Sequence, residues 1–166
     1  FLGSRAIRIN PGRSDGSVEK SIASMKEVNR YCKSKRLPLL TENHFGLEMD
    51  PDVHLRIREE AGPANIYTLP DFGNYPVETM WSSLAKILPH AYMVSAKTVE
   101  FNEQVEHISY DFDRCIRLAE RAKTQLTADQ WERILTPVIA GIGSDTRGLI
   151  AEKTHPTTYG IVNYVV

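Results

Sequence analysis

"LPLLTENHFG", residues 37–46, runs from an apolar, strand-like stretch directly into a carboxylate, an amide and an imidazole. Leu37, Leu39 and Leu40 read as a buried strand. A carboxylate at the mouth of such a strand is costly unless it is paired or bound to a cation, so Glu42 asks for a partner. The same pattern returns at "TLPDFGN" (68–74), where an apolar run ends in Asp71 with Asn74 just beyond it. "HAYMVSAKT" (90–98) ends in Ser95, Lys97 and Thr98, and "RAIRIN" (5–10) ends at Asn10.

Between these runs the apolar spacing changes to a helical period. From Ser17, an N-cap residue, Val18, Ile22, Met25, Val28 and Cys32 recur at intervals of three or four. Asp50-Pro51 opens a second helix that carries Val53 and Ile57 inward until Gly62-Pro63 stops it. "VETMWSSLAKIL" (77–88) reads as a third helix, and Asp111 caps a fourth whose inner face is Phe112, Cys115, Ile116 and Ala119. Strand-length runs alternating with helices are the signature of βα units around a parallel sheet. The segment 90–98, nearly continuous in apolar and small residues, is expected to be a fourth strand covered on both faces. Beyond about residue 123 the rhythm weakens. Thr127 and Gln130 stand at capping-box spacing, and "PVIAGIG", "GLIAE" and "YGIVNYVV" each have strand character without a clear order. The expected organisation is one run of βα units over 1–123 with a C-terminal segment, 124–166, packing on the same domain.

Composition narrows the partners. The 166 residues are 42% hydrophobic and 25% charged, with a net charge of -1, which suits one globular core and gives no basic footprint for nucleic acid or an anionic membrane. Lys33, Lys35 and Arg36 read as the solvated end of the first helix. No apolar run approaches the ~20 residues of a membrane span. Cys32 and Cys115 lack metal-ligand spacing and read as reduced core residues, consistent with a cytoplasmic location.

In parallel α/β folds the loops after the strand C-termini carry the chemistry, because strand ends converge there over a rigid base. Asn10, Glu42, His44, Asp71, Asn74 and Lys97 are therefore the candidate site. Two carboxylates from separate strands suit a hard divalent ion, Mn²⁺ or Mg²⁺. Structural roles stand beside these: Asp71 as a turn former, Asn74 as the cap of the next helix, Lys97 as a neutralising cation for Glu42 or Asp71.

"LLTENHFG", "YTLPDFGN" and "AYMVSAKT" together resemble the xylose-isomerase-like TIM-barrel proteins, the sugar phosphate isomerases and epimerases, in the branch with ENH-G, LPDFGN and VSAK motifs. The resemblance covers about residues 5–122 and implies a (β/α)8 barrel with a divalent metal at its C-terminal mouth. It makes Glu42 and Asp71 metal ligands from the fifth and sixth strands, Glu42 and Lys97 catalytic residues, and Asn10, His44 and Asn74 substrate contacts. The implied activity is isomerisation or epimerisation of a sugar or related polyol through an enediolate-type intermediate. Ser95 stands where many relatives carry a His on the seventh strand, and Asn74 near another such His. The last acidic ligand has only Glu152 or Asp129 as candidates. These departures admit an alternative, a non-catalytic sugar-binding or structural derivative with an incomplete metal site. A full barrel takes about 250 residues, so strands four to seven are recognisable and the first three are not. A half-barrel leaves unpaired edges, to be covered by the tail, with "YGIVNYVV" adding a strand, or by a second copy of the chain.

Overall fold

The computed structural model describes residues 5–122, so Glu152, Asp129 and the expected tail strands lie outside the described residues. In chain order the elements are β1 (Ile7–Arg8), α1 (Val18–Ser34), β2 (Leu39–Glu42), α2 (Pro51–Ala61), β3 (Ile66–Leu69), α3 (Val77–Ile87) and α4 (Phe112–Ala122). Short 3₁₀ turns at Leu47–Met49 and Leu88–His90 precede α2 and follow α3.

The strands are parallel and lie in sequence order, β1-β2-β3, with a helix in each crossover. Ile7 pairs with Leu39 and Leu39 with Ile66; Arg8 pairs with Leu40 and Leu40 with Tyr67. The next segment adds on the far side of β3 through parallel bridges from Thr68 to Ala91 and from Asp71 to Ser95. Among the described residues the sheet thus advances in one direction, as in a (β/α) barrel, without the reversal of a doubly wound fold. It is an α/β arc of barrel type.

The expected strand at 90–98 needs correction. It begins inside the 3₁₀ turn Leu88–His90 and meets β3 only at the two isolated bridges. Tyr92 N–H donates to the Thr68 carbonyl at 3.1 Å and Ser95 N–H to the Pro70 carbonyl at 2.8 Å. Pro70 has no N–H to return, so the ladder is interrupted there. The bridge partners are three positions apart on one side (68 to 71) and four on the other (91 to 95), so the pairing slips by one residue between them.

The caps follow the sequence. The Ser17 hydroxyl accepts from Lys20 N–H at 3.3 Å, Asp50 accepts from the N–H groups of Asp52 and Val53, and Asp111 accepts from Arg114 N–H at 2.8 Å. Gly62, at φ +128°, ends α2 in a conformation that disfavours any residue with a Cβ. Lys33 lies in the last turn of α1.

Strand alternation divides the sheet into two faces. Leu39 and Ile66 pack against Ile22, Met25, Cys32, Ile57 and Ala61 under α1 and α2. Thr41 and Thr68 point the same way, and the helix layer satisfies them: Thr41 Oγ1 shares a 2.7 Å hydrogen bond with His54 Nε2, and Thr68 Oγ1 donates to the Ile87 carbonyl at 2.7 Å. The opposite face holds a smaller cluster of Leu40, Leu69 and Met93 with Ala6, Tyr67 and Tyr92. A third cluster, centred on Phe72, Met80, Leu84, Ile87 and Cys115, joins α3 to α4. Cys32 and Cys115 are free thiols in these cores. Among the described residues no helix is long and apolar enough to cross a membrane.

Candidate functional site

Because Glu42 pairs with Leu69, two residues before Asp71, the two acids leave adjacent parallel strands at the same end. Glu42 is 5% exposed and Asp71 3% exposed. Burial holds the Glu42 carboxyl above the ordinary carboxylate range. Arg8 draws it back, while Asp71 pushes it up again by like charge and by a side-chain hydrogen bond. A pair of buried carboxyls within reach of each other is therefore built into the mouth of the sheet.

Arg8 is the partner that Glu42 requires. Its guanidinium forms an ion pair with Glu42 Oε2. The register explains the contact: Arg8 lies opposite Leu40, and Glu42 is two residues along the same face of β2, so the pair is diagonal across β1 and β2. Arg8 was not among the residues singled out from the sequence, although a charged residue alternating with Ile7 and Ile9 in a strand is a readable signal.

The network continues along the mouth. Asn74 Nδ2 donates to Glu42 Oε1 at 3.3 Å, and Lys97 Nζ donates to Asn74 Oδ1 at 2.7 Å. Asn74 is thus committed to Glu42. The first turn of α3 has Pro76 at its cap position with no side-chain cap bond, so the capping role weighed for Asn74 does not apply. Lys97 reaches Glu42 through Asn74, and Arg8 makes the direct ion pair.

Asp71 has both roles weighed for it. Its Oδ1 accepts from Gly73 N–H at 2.8 Å, which closes an Asx turn, while Oδ2 accepts from Ser95 Oγ at 2.9 Å. Its backbone is held by Asn43, which is fully buried. Asn43 Oδ1 accepts from Asp71 N–H at 2.8 Å and Asn43 Nδ2 donates to the Asp71 carbonyl at 3.0 Å. This reciprocal pair continues the β2–β3 ladder by one rung through a side chain.

His44 is half-buried, close enough to Glu42 and Glu48 for a protonated imidazole to draw both acids toward ionisation. Glu48 is fully buried on the 3₁₀ turn. Burial raises its carboxyl above the ordinary range against the opposing pull of nearby backbone N–H groups of Glu48, His44 and Gly46. Neither of its oxygens has a hydrogen bond of normal geometry. Asn10 is exposed, just past β1, and stands outside this network.

The oxygen donors at the mouth are the Glu42 and Asp71 carboxyls with Ser95 Oγ on Asp71, types that a hard divalent cation takes, while Asn74 presents its Nδ2 to Glu42 and gives its Oδ1 to Lys97. Among the described residues no group of three or more His, Cys, Asp or Glu stands together, so the mouth holds two acids and no third ligand of those types.

No family model matches the chain, and no curated protein does. Among solved structures the chain is similar to a xylose isomerase-like TIM barrel protein from Mycobacterium smegmatis in complex with magnesium. The identity is 16% and the TM-score 0.49, over 63% of this chain and 40% of that one. The chain thus spans well under half the length of that protein.

Proposed function

We propose that the mouth of this sheet binds a sugar or related polyol and takes a proton from a carbon beside its carbonyl, returning it to the adjacent carbon as a metal-assisted isomerase or to the opposite face of the same carbon as an epimerase. The observation that carries the reading is the buried Glu42 carboxyl, raised by burial and by Asp71 and positioned by Arg8 and Asn74. A carboxyl shifted toward neutrality is matched to both accepting and returning a proton. Glu42 takes the proton from carbon, Lys97 offers an ammonium to oxygen that gains negative charge, and Asn74 and His44 orient hydroxyls, with Asn10 at the rim. A divalent ion, Mn²⁺ or Mg²⁺, would be held by Glu42 and Asp71 and would supply polarisation of the hydroxyl and carbonyl oxygens. The sequence motifs support the sugar isomerase and epimerase branch named above.

A second reading, non-catalytic sugar binding, is favoured by one contact: Arg8 already pairs with Glu42, so this carboxylate has its counter-charge from the chain itself. One experiment separates the two. Purified protein is titrated with Mn²⁺ and assayed on D-fructose, D-tagatose, D-xylulose and L-ribulose, beside Glu42→Gln. Turnover that falls at least a hundredfold in Glu42→Gln supports the enzyme. Sugar binding without turnover supports the second reading. Turnover that Glu42→Gln leaves intact overturns the proton-transfer role.

A further inference from the structure

We propose that Phe45 is a stacking platform for the apolar C–H face of the sugar or polyol, and so a specificity residue of the site. The inference rests on the sugar-binding reading and extends it to a residue with no polar chemistry of its own.

Phe45 combines two features that work against a stable fold. Its backbone is left-handed, at φ +59°, a region that bulky L-residues rarely occupy. Its side chain is also largely in water: Phe45 is 70% exposed, more than Tyr31, Val77, Val105 or Ile108, the other large exposed apolar residues described. The other two left-handed non-glycine residues described have local reasons: Arg36 closes α1, where its N–H donates to the Lys33 carbonyl and Leu37 N–H to the Cys32 carbonyl, and Val105, also apolar and exposed, sits in the tight turn in which its N–H donates to the Asn102 carbonyl and Asn102 N–H to the Glu106 carbonyl. Phe45 ends no helix.

The loop holds this conformation from both sides. Asn43 is locked to the Asp71 backbone. Gly46 bridges to Arg13, and a Cβ at Gly46 would run into the Gly12 carbonyl and the Glu48 carboxylate. Leu47 N–H then donates to the Gly12 carbonyl at 3.2 Å. A strained residue kept in place by over-determined neighbours beside candidate chemistry is the pattern of a working position. The ring is edge-on to His44, with centroids 4.8 Å apart, in the loop that leaves β2 directly after Glu42 and Asn43. A flat apolar face next to a row of hydrogen-bonding groups is what a sugar requires, since its hydroxyls lie around an apolar ring of C–H bonds.

The test uses Phe45→Asn, Phe45→Ala and Phe45→Trp in the full chain. Asn adopts the left-handed region readily and removes the ring, so Phe45→Asn is expected to fold with a thermal midpoint equal to or above that of the wild type. Affinity for the four ketoses is read by saturation-transfer NMR with diamagnetic Mg²⁺ present. Phe45→Asn and Phe45→Ala are expected to bind roughly three- to tenfold more weakly, and Phe45→Trp to retain binding, with KM moving more than kcat wherever turnover is measured. Unchanged affinity in Phe45→Asn and Phe45→Ala overturns the proposal while leaving the isomerase reading intact. Weakened binding without turnover in any form sinks the isomerase reading and keeps the platform. A wild type that binds none of the four ketoses removes both. A fall in thermal midpoint in Phe45→Asn, or a change in its oligomeric state, with affinity unchanged, reassigns the ring to structure.

Discussion

Asn43→Ala is the substitution that most directly probes how the two acids are brought together. Asn43 is fully buried, and its amide makes both hydrogen bonds that hold the Asp71 backbone, at 2.8 and 3.0 Å. Truncation to Ala leaves the Asp71 N–H and carbonyl without those partners, in a residue 3% exposed. A buried group stranded in this way costs about 1–3 kcal/mol, so the pair is worth about 3 kcal/mol when partial access of water is allowed for. Asn43→Asp keeps an acceptor for the N–H but places a carboxylate against the Asp71 carbonyl and adds a third charge near Glu42. Its loss should also be large at neutral pH and shrink as the pH falls through the carboxylate range. Urea unfolding followed by circular dichroism measures both, with the slope of the transition checking that the same surface is exposed. Because Asp71 is the residue displaced, affinity for Mn²⁺ should fall in parallel. An Asn43→Ala protein within about 0.5 kcal/mol of the wild type at equal slope would show that this rung contributes nothing to the mouth.

His54 gives the fold an acid limit: burial pushes its pKa down to about 4, against 6.5 for the free side chain. The unfolded chain therefore binds the proton more readily between those values. The neutral ring's contribution is fully present above pH 6.5 and is lost as pH falls toward 4, by about 3 kcal/mol for a shift of 2.5 units (6.5 − 4). Urea midpoints across pH 7 to 4 should fall steeply, and a His54→Gln variant, less stable at pH 7, should show a flatter profile; parallel profiles would refute the assignment. Gly46→Ala should lower stability by at least about 2 kcal/mol in thermal or urea unfolding, because its Cβ would meet the backbone carbonyl of Gly12 and the buried Glu48 carboxylate. A variant as stable as the wild type would mean that the loop carrying Phe45 yields easily.

Local signals made the helices legible. Ser17, Asp50 and Asp111 act as caps where their chemistry places them, and of the expected inner stripe of α4 Cys115 and Ala119 are buried, with Phe112 and Ile116 half-buried against the same cluster. The shared end of Glu42 and Asp71 was also readable, since one helix between two apolar runs brings two parallel strands back in phase. What escaped depends on residues distant in sequence. Arg8 meets Glu42 only once β1 and β2 are in register, and Asn43 finds its partner 28 residues on. Glu48 is an acid in a 3₁₀ turn, which ordinarily faces solvent, and nothing nearby in the sequence signals its burial. The segment 90–98 has the composition of a covered strand, but composition does not register the N–H that Pro70 lacks or the one-residue slip that follows.

The diagonal ion pair between Arg8 and Glu42 also ties the two-residue β1 to the mouth of β2. On the binding proposed for this mouth, one carboxylate oxygen would serve both cohesion of the sheet and capture of a ligand. A guest that claims that oxygen frees a guanidinium already poised at the rim, with five N–H donors for the guest's own oxygens. Binding at this mouth is then an exchange of partners around a constant charge, and a loosening of β1 is the mechanical trace by which occupancy would be felt at the sheet's first strand.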